Sequence, residues 1–350
     1  MQETTRVFAL LGDAALRRQL QQRWRGEGTV LCGMHSEGGS SIVEEMARVR
    51  PTLLLVDADL DGAREIVHES AHRLRLPVVA LVHARQSGSA ALRPLEWGAI
   101  ALAAREPHEE VIVNIETAIA EARHAQVVDV LENHFPLSGA FPDAAVFDLR
   151  RSLQSLEPAD KLVVIAAGVG GPMALRRILL AVRNHVVSPV VIAQRLSPSL
   201  AGHFAQWLEH HTGAQAVRAV TSRLEVGTVY VVPSDCDATV ESRDGEATLC
   251  VGPAAHAATS FDALFKAASA TYGPRAVGVL LSGHGEDGAQ GLLAVRRAGG
   301  FTMVQDRSSS LVHDAPNRGR ECGGAIECLP INEIAERIQM LMRPSTASRA

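Results

Sequence analysis

The stretch Leu162-Val-Val-Ile-Ala-Ala-Gly-Val-Gly-Gly-Pro172 decides how the chain is read. Its first six residues are apolar, partly β-branched and strand-sized, the pattern of a strand buried on both faces of a parallel sheet. Gly168-Val-Gly-Gly171 then turns the chain, and Pro172 can occupy the first position of a helix, where its missing N–H removes nothing the helix needs. Strand, tight turn and helix open a βαβ unit. The rhythm continues downstream, with strands expected at Val190–Ala193, Thr228–Pro233, Val277–Ser282 and Phe301–Gln305. Ser197-Pro198 reads as the N-cap and first residue of a helix running to about His211. Asp244-Gly245 is a hairpin signal, with Thr228–Pro233 and Ala247–Val251 as its expected arms. One doubly wound α/β domain over 160–345 accounts for this half.

Upstream, the same alternation fills residues 1–125. Strands are expected at Arg6–Leu11, Thr29–Met34, Thr52–Asp57, Pro77–Val82 and Ala99–Ala103, with helices between them. Glu109–Glu132 reads as one long helix, because Val111, Ile115 and Ile119 recur four apart. Beyond it, Pro136, Pro142 and Pro158 interrupt a stretch without sustained period, so 126–159 reads as a linker. A length of 350 residues agrees with two domains.

Composition narrows the function classes. Thirty-four Lys and Arg against 39 Asp and Glu give a formal charge of −5, in a chain that is 47% hydrophobic and 21% charged. That is ordinary globular composition. A net-negative chain without a basic run offers no footprint for a phosphate backbone, so no nucleic-acid partner is expected. The apolar runs fall far short of the ~20 residues that span a bilayer, so no membrane insertion is expected. The acidic, polar opening Met1–Arg6 does not read as a signal peptide, and the expected compartment is the cytoplasm. Cys32, Cys236, Cys250, Cys322 and Cys328 are scattered and read as reduced thiols. Of 14 histidines only His210 and His211 are neighbours, and no H-E-x-x-H occurs, so neither a metal nor a cofactor is expected from them.

The Gly168 turn admits two readings. A glycine turn against a helix N-terminus suits a pyrophosphate, but G-x-G-x-x-G would place its third glycine at Met173. Arg195, at the end of the next strand, stands where a ribose-binding acid would be and could read a 2′-phosphate, so an NADP-type module stays open. The wider order of motifs points elsewhere. LVVIAAGVGGPMAL (Leu162–Leu175), VVIAQRL (Val190–Leu196), GTVYVVP (Gly227–Pro233), SFDALF (Ser260–Phe265), VLLSGHGEDGAQGL (Val279–Leu292) and Gln305-Asp306 together resemble the catalytic domain of the CheB-type chemotaxis receptor protein-glutamate methylesterases. The first half looks like the receiver domain that precedes it in that family.

This resemblance implies a Ser-His-Asp site that hydrolyses glutamate methyl esters and deamidates glutamines on chemoreceptors. The family's serine falls at Gly168 and its histidine at Arg195, while Asp287 keeps the acid. Glycine has no hydroxyl to attack a carbonyl, and a guanidinium has no free acceptor to serve as a base. Arg195 is therefore expected to pair with Asp287. Ser197, Ser199, His203 and Ser282 read as structural residues, and His284, beside the retained acid, is the best candidate for a relocated catalytic group. In the receiver-like half, Asp57 falls at the phosphoacceptor position. Phosphoryl transfer there needs a divalent ion held by an acidic pair, and Leu11-Gly12-Asp13 supplies one acid; the Thr or Ser of the family falls at Val82 and its Lys at Arg105. Asp57 is expected to be an unused surface carboxylate. The implied function is that of a catalytically impaired regulatory homologue, a pseudoenzyme that binds methyl-accepting chemoreceptors or related pathway proteins. An active methylesterase/glutaminase using relocated residues is the alternative.

Overall fold

A computed structural model describes residues 4–25, 28–85, 88–123, 125, 161–183, 188–243, 245–255 and 259–342. The chain divides into two compact units, Met1–Phe135 and Pro136–Ala350. The expected linker lies outside the described residues.

In the first unit, strands β1 (Thr5–Leu10), β2 (Thr29–His35), β3 (Leu53–Asp57), β4 (Val78–Val82) and β5 (Ala101–Ala104) form a parallel sheet in the order β2-β1-β3-β4-β5. Strands β3 and β4 are buried along their whole length, as the apolar runs Leu53–Val56 and Val78–Val82 require of strands covered on both faces. The order is flavodoxin-like, as in receivers, and the chain reverses its direction of travel across the sheet between β1 and β3. Such a reversal leaves a crevice beyond the strand ends, where Gly12, Asp13 and Asp57 stand. The long helical pattern appears as a helix at Val111–Ala122, entered through a short turn at His108–Glu110. Val111, Ile115, Ala118, Ile119 and Ala122 face inward, so the apolar spacing set its orientation. Most of the remaining expected span lies outside the described residues.

The second unit has a seven-stranded sheet in the order β15-β14-β13-β6-β7-β10-β8. Its strands are β6 (Leu162–Ala167), β7 (Val190–Gln194), β8 (Gln215–Arg218), β10 (Thr228–Val232), β13 (Ala276–Leu280), β14 (Phe301–Gln305) and β15 (Glu327–Leu329), all parallel to their neighbours. A small antiparallel sheet joins β9 (Ser222–Arg223), β11 (Cys236–Arg243) and β12 (Glu246–Pro253) in the order β11-β12-β9. This corrects the expected hairpin. The arm opposite β12 is β11, with Cys236 paired to Pro253 and Arg243 to Glu246, whereas Thr228–Val232 lies inside the parallel sheet. The reason is visible in the side chains. Thr228–Val232 is buried throughout and needs cover on both faces, while β11 buries Ala238 and Val240 two residues apart and suits a one-sided ribbon. The helix Phe261–Tyr272 packs Leu264, Phe265 and Ala268 into the core beside Val164 and Leu280. Burying a Leu or Phe of this kind contributes roughly 1.5–3 kcal/mol.

Candidate functional site

Strand order in the second unit reverses between β6 and β13, so the residues just beyond these two strands share one crevice. Gly168 follows β6, donates its N–H to the Ser282 carbonyl at 2.8 Å, and lies directly against the loop after β13. A Cβ added at Gly168 would sit 2.9 Å from the Gly283 Cα. Gly283 is itself held on both sides: its N–H donates to the Val312 carbonyl at 2.9 Å and its carbonyl accepts from the Ala315 N–H at 3.0 Å. At the position where a nucleophile is expected from the sequence, the space a side chain would need is therefore filled by main chain. Two residues on, Gly170 adopts φ +82°, a left-handed conformation that a side chain would strain, and starts the helix Gly171–Val182.

Gln194 ends β7 and is buried, with its side-chain amide donating to the Gly168 carbonyl at 2.8 Å and to the Arg195 carbonyl at 3.0 Å. This ties the Gly168 turn to the residue that follows. Arg195 donates from Nη2 to Asp287 Oδ2 at 2.7 Å, with both side chains 29% exposed. Its guanidinium carbon also lies 4.6 Å from the centre of the Phe261 ring, within reach of a cation–π contact. The pairing expected from the sequence is thus formed. These contacts turn the guanidinium toward the acid and the ring, and nothing here supports Arg195 as the reader of a 2′-phosphate or the turn as an NADP site.

Asp287 does more than balance charge. Its Oδ2 accepts from the Phe261 N–H and its Oδ1 from the Asp262 N–H, each at 3.0 Å. Asp262 answers through Oδ1, which accepts from the N–H groups of Gly288 at 3.0 Å and Gly291 at 2.6 Å. Each aspartate thus satisfies orphan donors at the start of the other's helix, Phe261–Tyr272 and Ala289–Arg297. Sequence reasoning found Asp287 but missed Asp262 and Phe261. The available signal was an acid in the first turn of a helix whose N-cap is Ser260.

Ser282 is 1% exposed. Its hydroxyl donates to the Val169 carbonyl at 2.6 Å and accepts the Val312 N–H at 3.0 Å, a staple between loops rather than a nucleophile. Ser197 precedes a short turn at Pro198–Leu200 and its side chain forms no cap bond, so the expected N-cap is not made. Helix Ala201–Thr212 begins after that turn and carries His203, while the exposed Ser199 lies within the turn. His284 is different. It follows Gly283 in the crevice, its side chain is 41% exposed, and its Nδ1 lies 2.7 Å from Asp314 Oδ2. An imidazole oriented by a carboxylate is the arrangement of a general base.

In the first unit, Asp57 is 4% exposed, which corrects the expectation of a surface carboxylate. Its Oδ2 accepts from Arg105 and from the Gly12 N–H at 3.3 Å, and its Oδ1 from the Asp59 N–H at 3.3 Å. Arg105 follows β5, and its side chain is only 12% exposed. Asp13 caps the helix Ala14–Arg23, accepting from the N–H groups of Ala15 at 2.8 Å and Leu16 at 3.0 Å. The hydrogen bond from Leu16 leads the effects that hold its carboxyl below the usual range, against a smaller opposing effect of burial. Val82 ends β4, at the place where the resemblance implies a hydroxyl. The residues present do not fit a divalent ion, since one acid is spent on a helix end and the other on a guanidinium. Among the described residues no group of three or more His, Cys, Asp or Glu side chains could hold a metal, and no helix is long and apolar enough to cross a membrane.

Residues 163–338 match the model of the CheB methylesterase family, half of the chain. The chain belongs to the CheB methylesterase family. Likeness to individual members reaches into both units. Protein-glutamate methylesterase FrzG of Myxococcus xanthus is 31% identical over 314 residues, covering 88% of this chain and 90% of that protein. A protein-glutamate methylesterase/protein-glutamine glutaminase of Symbiobacterium thermophilum is 26% identical and covers 97% of both. Among solved structures, the CheB methylesterase catalytic domain of Thermotoga maritima covers 53% of this chain and all of its own, with a TM-score of 0.50 and 24% identity, a likeness of fold.

Proposed function

We propose that this protein is a regulatory, catalytically impaired member of the CheB family, which binds chemoreceptors or their signalling partners in the cytoplasm without efficient ester hydrolysis. The names of its relatives give the substrate class from which the reading starts, methyl esters of protein glutamates. One observation carries the impairment: at the crevice where the family's serine and histidine would stand, Gly168 abuts Gly283 and Arg195 is bound to Asp287. Neither residue can attack a carbonyl or accept a proton. On this reading residues 160–345 are the receptor-facing domain, 126–159 the linker and 1–125 a protein-interaction module with Asp57 unphosphorylated. Methanol release from methylated chemoreceptor should stay at background with the wild-type protein. A rate comparable with a family enzyme would overturn the reading.

The His284–Asp314 pair favours a second reading. His284 would take a proton from water as the water oxygen attacks the ester carbonyl, and would return it to the methoxide as the C–O bond breaks and methanol leaves, so the relocated imidazole would replace a covalent route by direct hydrolysis. Any methanol release by the wild type that His284→Ala abolishes would support this reading over the first.

A further inference from the structure

We propose that Arg105, at the position where the resemblance puts a Lys, is the resident counter-ion of Asp57, and that it fixes the first unit in a single state that takes neither metal nor phosphoryl group. Four observations carry this. The first is reach: Arg105, which follows β5, meets Asp57 Oδ2 at the end of β3 directly through Nη2. The second is enclosure. The Asp57 and Arg105 side chains are 5% and 12% exposed, so each charge depends on the other in a medium that solvates neither.

The third observation is saturation. Besides Arg105, the Asp57 carboxylate accepts the N–H groups of Gly12 and Asp59. An incoming phosphoryl group would have to displace the guanidinium from Oδ2 or the Asp59 N–H from Oδ1. The fourth is the adjoining shell. Glu106, next along the chain from Arg105, accepts from the Ala84 N–H at 2.8 Å and lies 2.7 Å from His83 Nδ1, so the residue after Arg105 is anchored to the loop after β4. Arg105 is thus held from its backbone side as well as through its guanidinium. This deepens, and for Asp57 rests on, the reading of the first unit as an unphosphorylated module, and it would hold whether or not the crevice of the second unit turns over an ester.

Thermal melting and intact-mass measurement of the full chain test the proposal. Wild-type protein is expected to melt at the same temperature in EDTA and in millimolar Mg2+, and to gain no phosphoryl mass with acetyl phosphate and Mg2+. A melting shift with Mg2+ that Asp57→Asn removes, or a phosphoryl group mapped to Asp57, would overturn it. Arg105→Met and Asp57→Asn should each weaken the first unit and the double variant should recover, with a coupling of about tenfold or more in the folding constant. Losses that simply add would also overturn it. The metal arm uses the wild-type chain and decides the matter even if a single variant does not fold, and neither readout involves ester hydrolysis.

Discussion

Asp57 and Asp287 each stand at the mouth of a parallel sheet where strand order reverses, and each is met by an arginine. Their surroundings differ. The Asp57–Arg105 pair is enclosed, with side chains 5% and 12% exposed, whereas Asp287 and Arg195 are both 29% exposed. Asp287 also caps a helix through two N–H groups, and Arg195 also rests on Phe261. The comparison teaches that one chemical replacement, an arginine facing an acid, can be a mutual dependence in a dry site and an optional contact in a wetter one. Burial decides which.

Arg105→Met should produce the largest effect. Removing one partner of an enclosed pair leaves the other as an uncompensated charge, and the first unit should lose about 3–5 kcal/mol, read by urea unfolding followed with hydrogen exchange in that unit. A loss below about 1 kcal/mol would erase the distinction between the sites. Gly168→Ala should come next. Its Cβ would press on a Gly283 main chain pinned by two hydrogen bonds, an overpacking that should cost about 1–3 kcal/mol in the second unit, and a neutral result would show that the loop yields. For this reason Gly168→Ser with Arg195→His, which supplies a nucleophile and a base, should release methanol only if accompanied by a shift of the 281–285 loop, visible in a crystal structure of the variant.

Arg195→Met should cost no more than roughly 1 kcal/mol, because solvent screens the pair and Asp287 keeps its backbone donors. Equality with Arg105→Met would break the comparison. The smallest effect concerns acid. The Asp13 carboxyl titrates below its unfolded value near 3.8, chiefly through the Leu16 N–H, so the stability it adds is complete above that value and is lost as pH falls through the lower folded one. Asp13→Asn keeps the cap but cannot titrate, and should flatten the first unit's acid limb while leaving its neutral-pH stability nearly unchanged, by circular dichroism melts against pH.

Much of the fold was legible because apolar runs of four to six residues announce doubly covered strands, as at Leu53–Val56 and Leu162–Ala167. The hairpin was misread because Asp244-Gly245 marks a turn without saying which strand precedes it. β11 carries Asp237, Glu241, Ser242 and Arg243 among few apolar residues, so its claim to be a strand rested on pairing that a single sequence does not display. The Asp287–Arg195 pair could be anticipated from two motifs brought into one site by the family resemblance. Asp57 could not, since Asp59 and Asp61 nearby suggested a solvated loop and only the fold brings Arg105 over it. Nor could the meeting of Gly168 with Gly283, because the absence of a Cβ at either leaves no mark of what fills the space.

That meeting of two bare backbones has a consequence for anyone redesigning the crevice. With Gly283 against Gly168, any side chain introduced there is penalised sterically before it can confer chemistry, and a hydroxyl alone would still lack a proton acceptor. One substitution at a time meets a loss of stability first. The contact therefore sets an order of operations: the neighbouring loop has to be loosened before the turn is given a side chain.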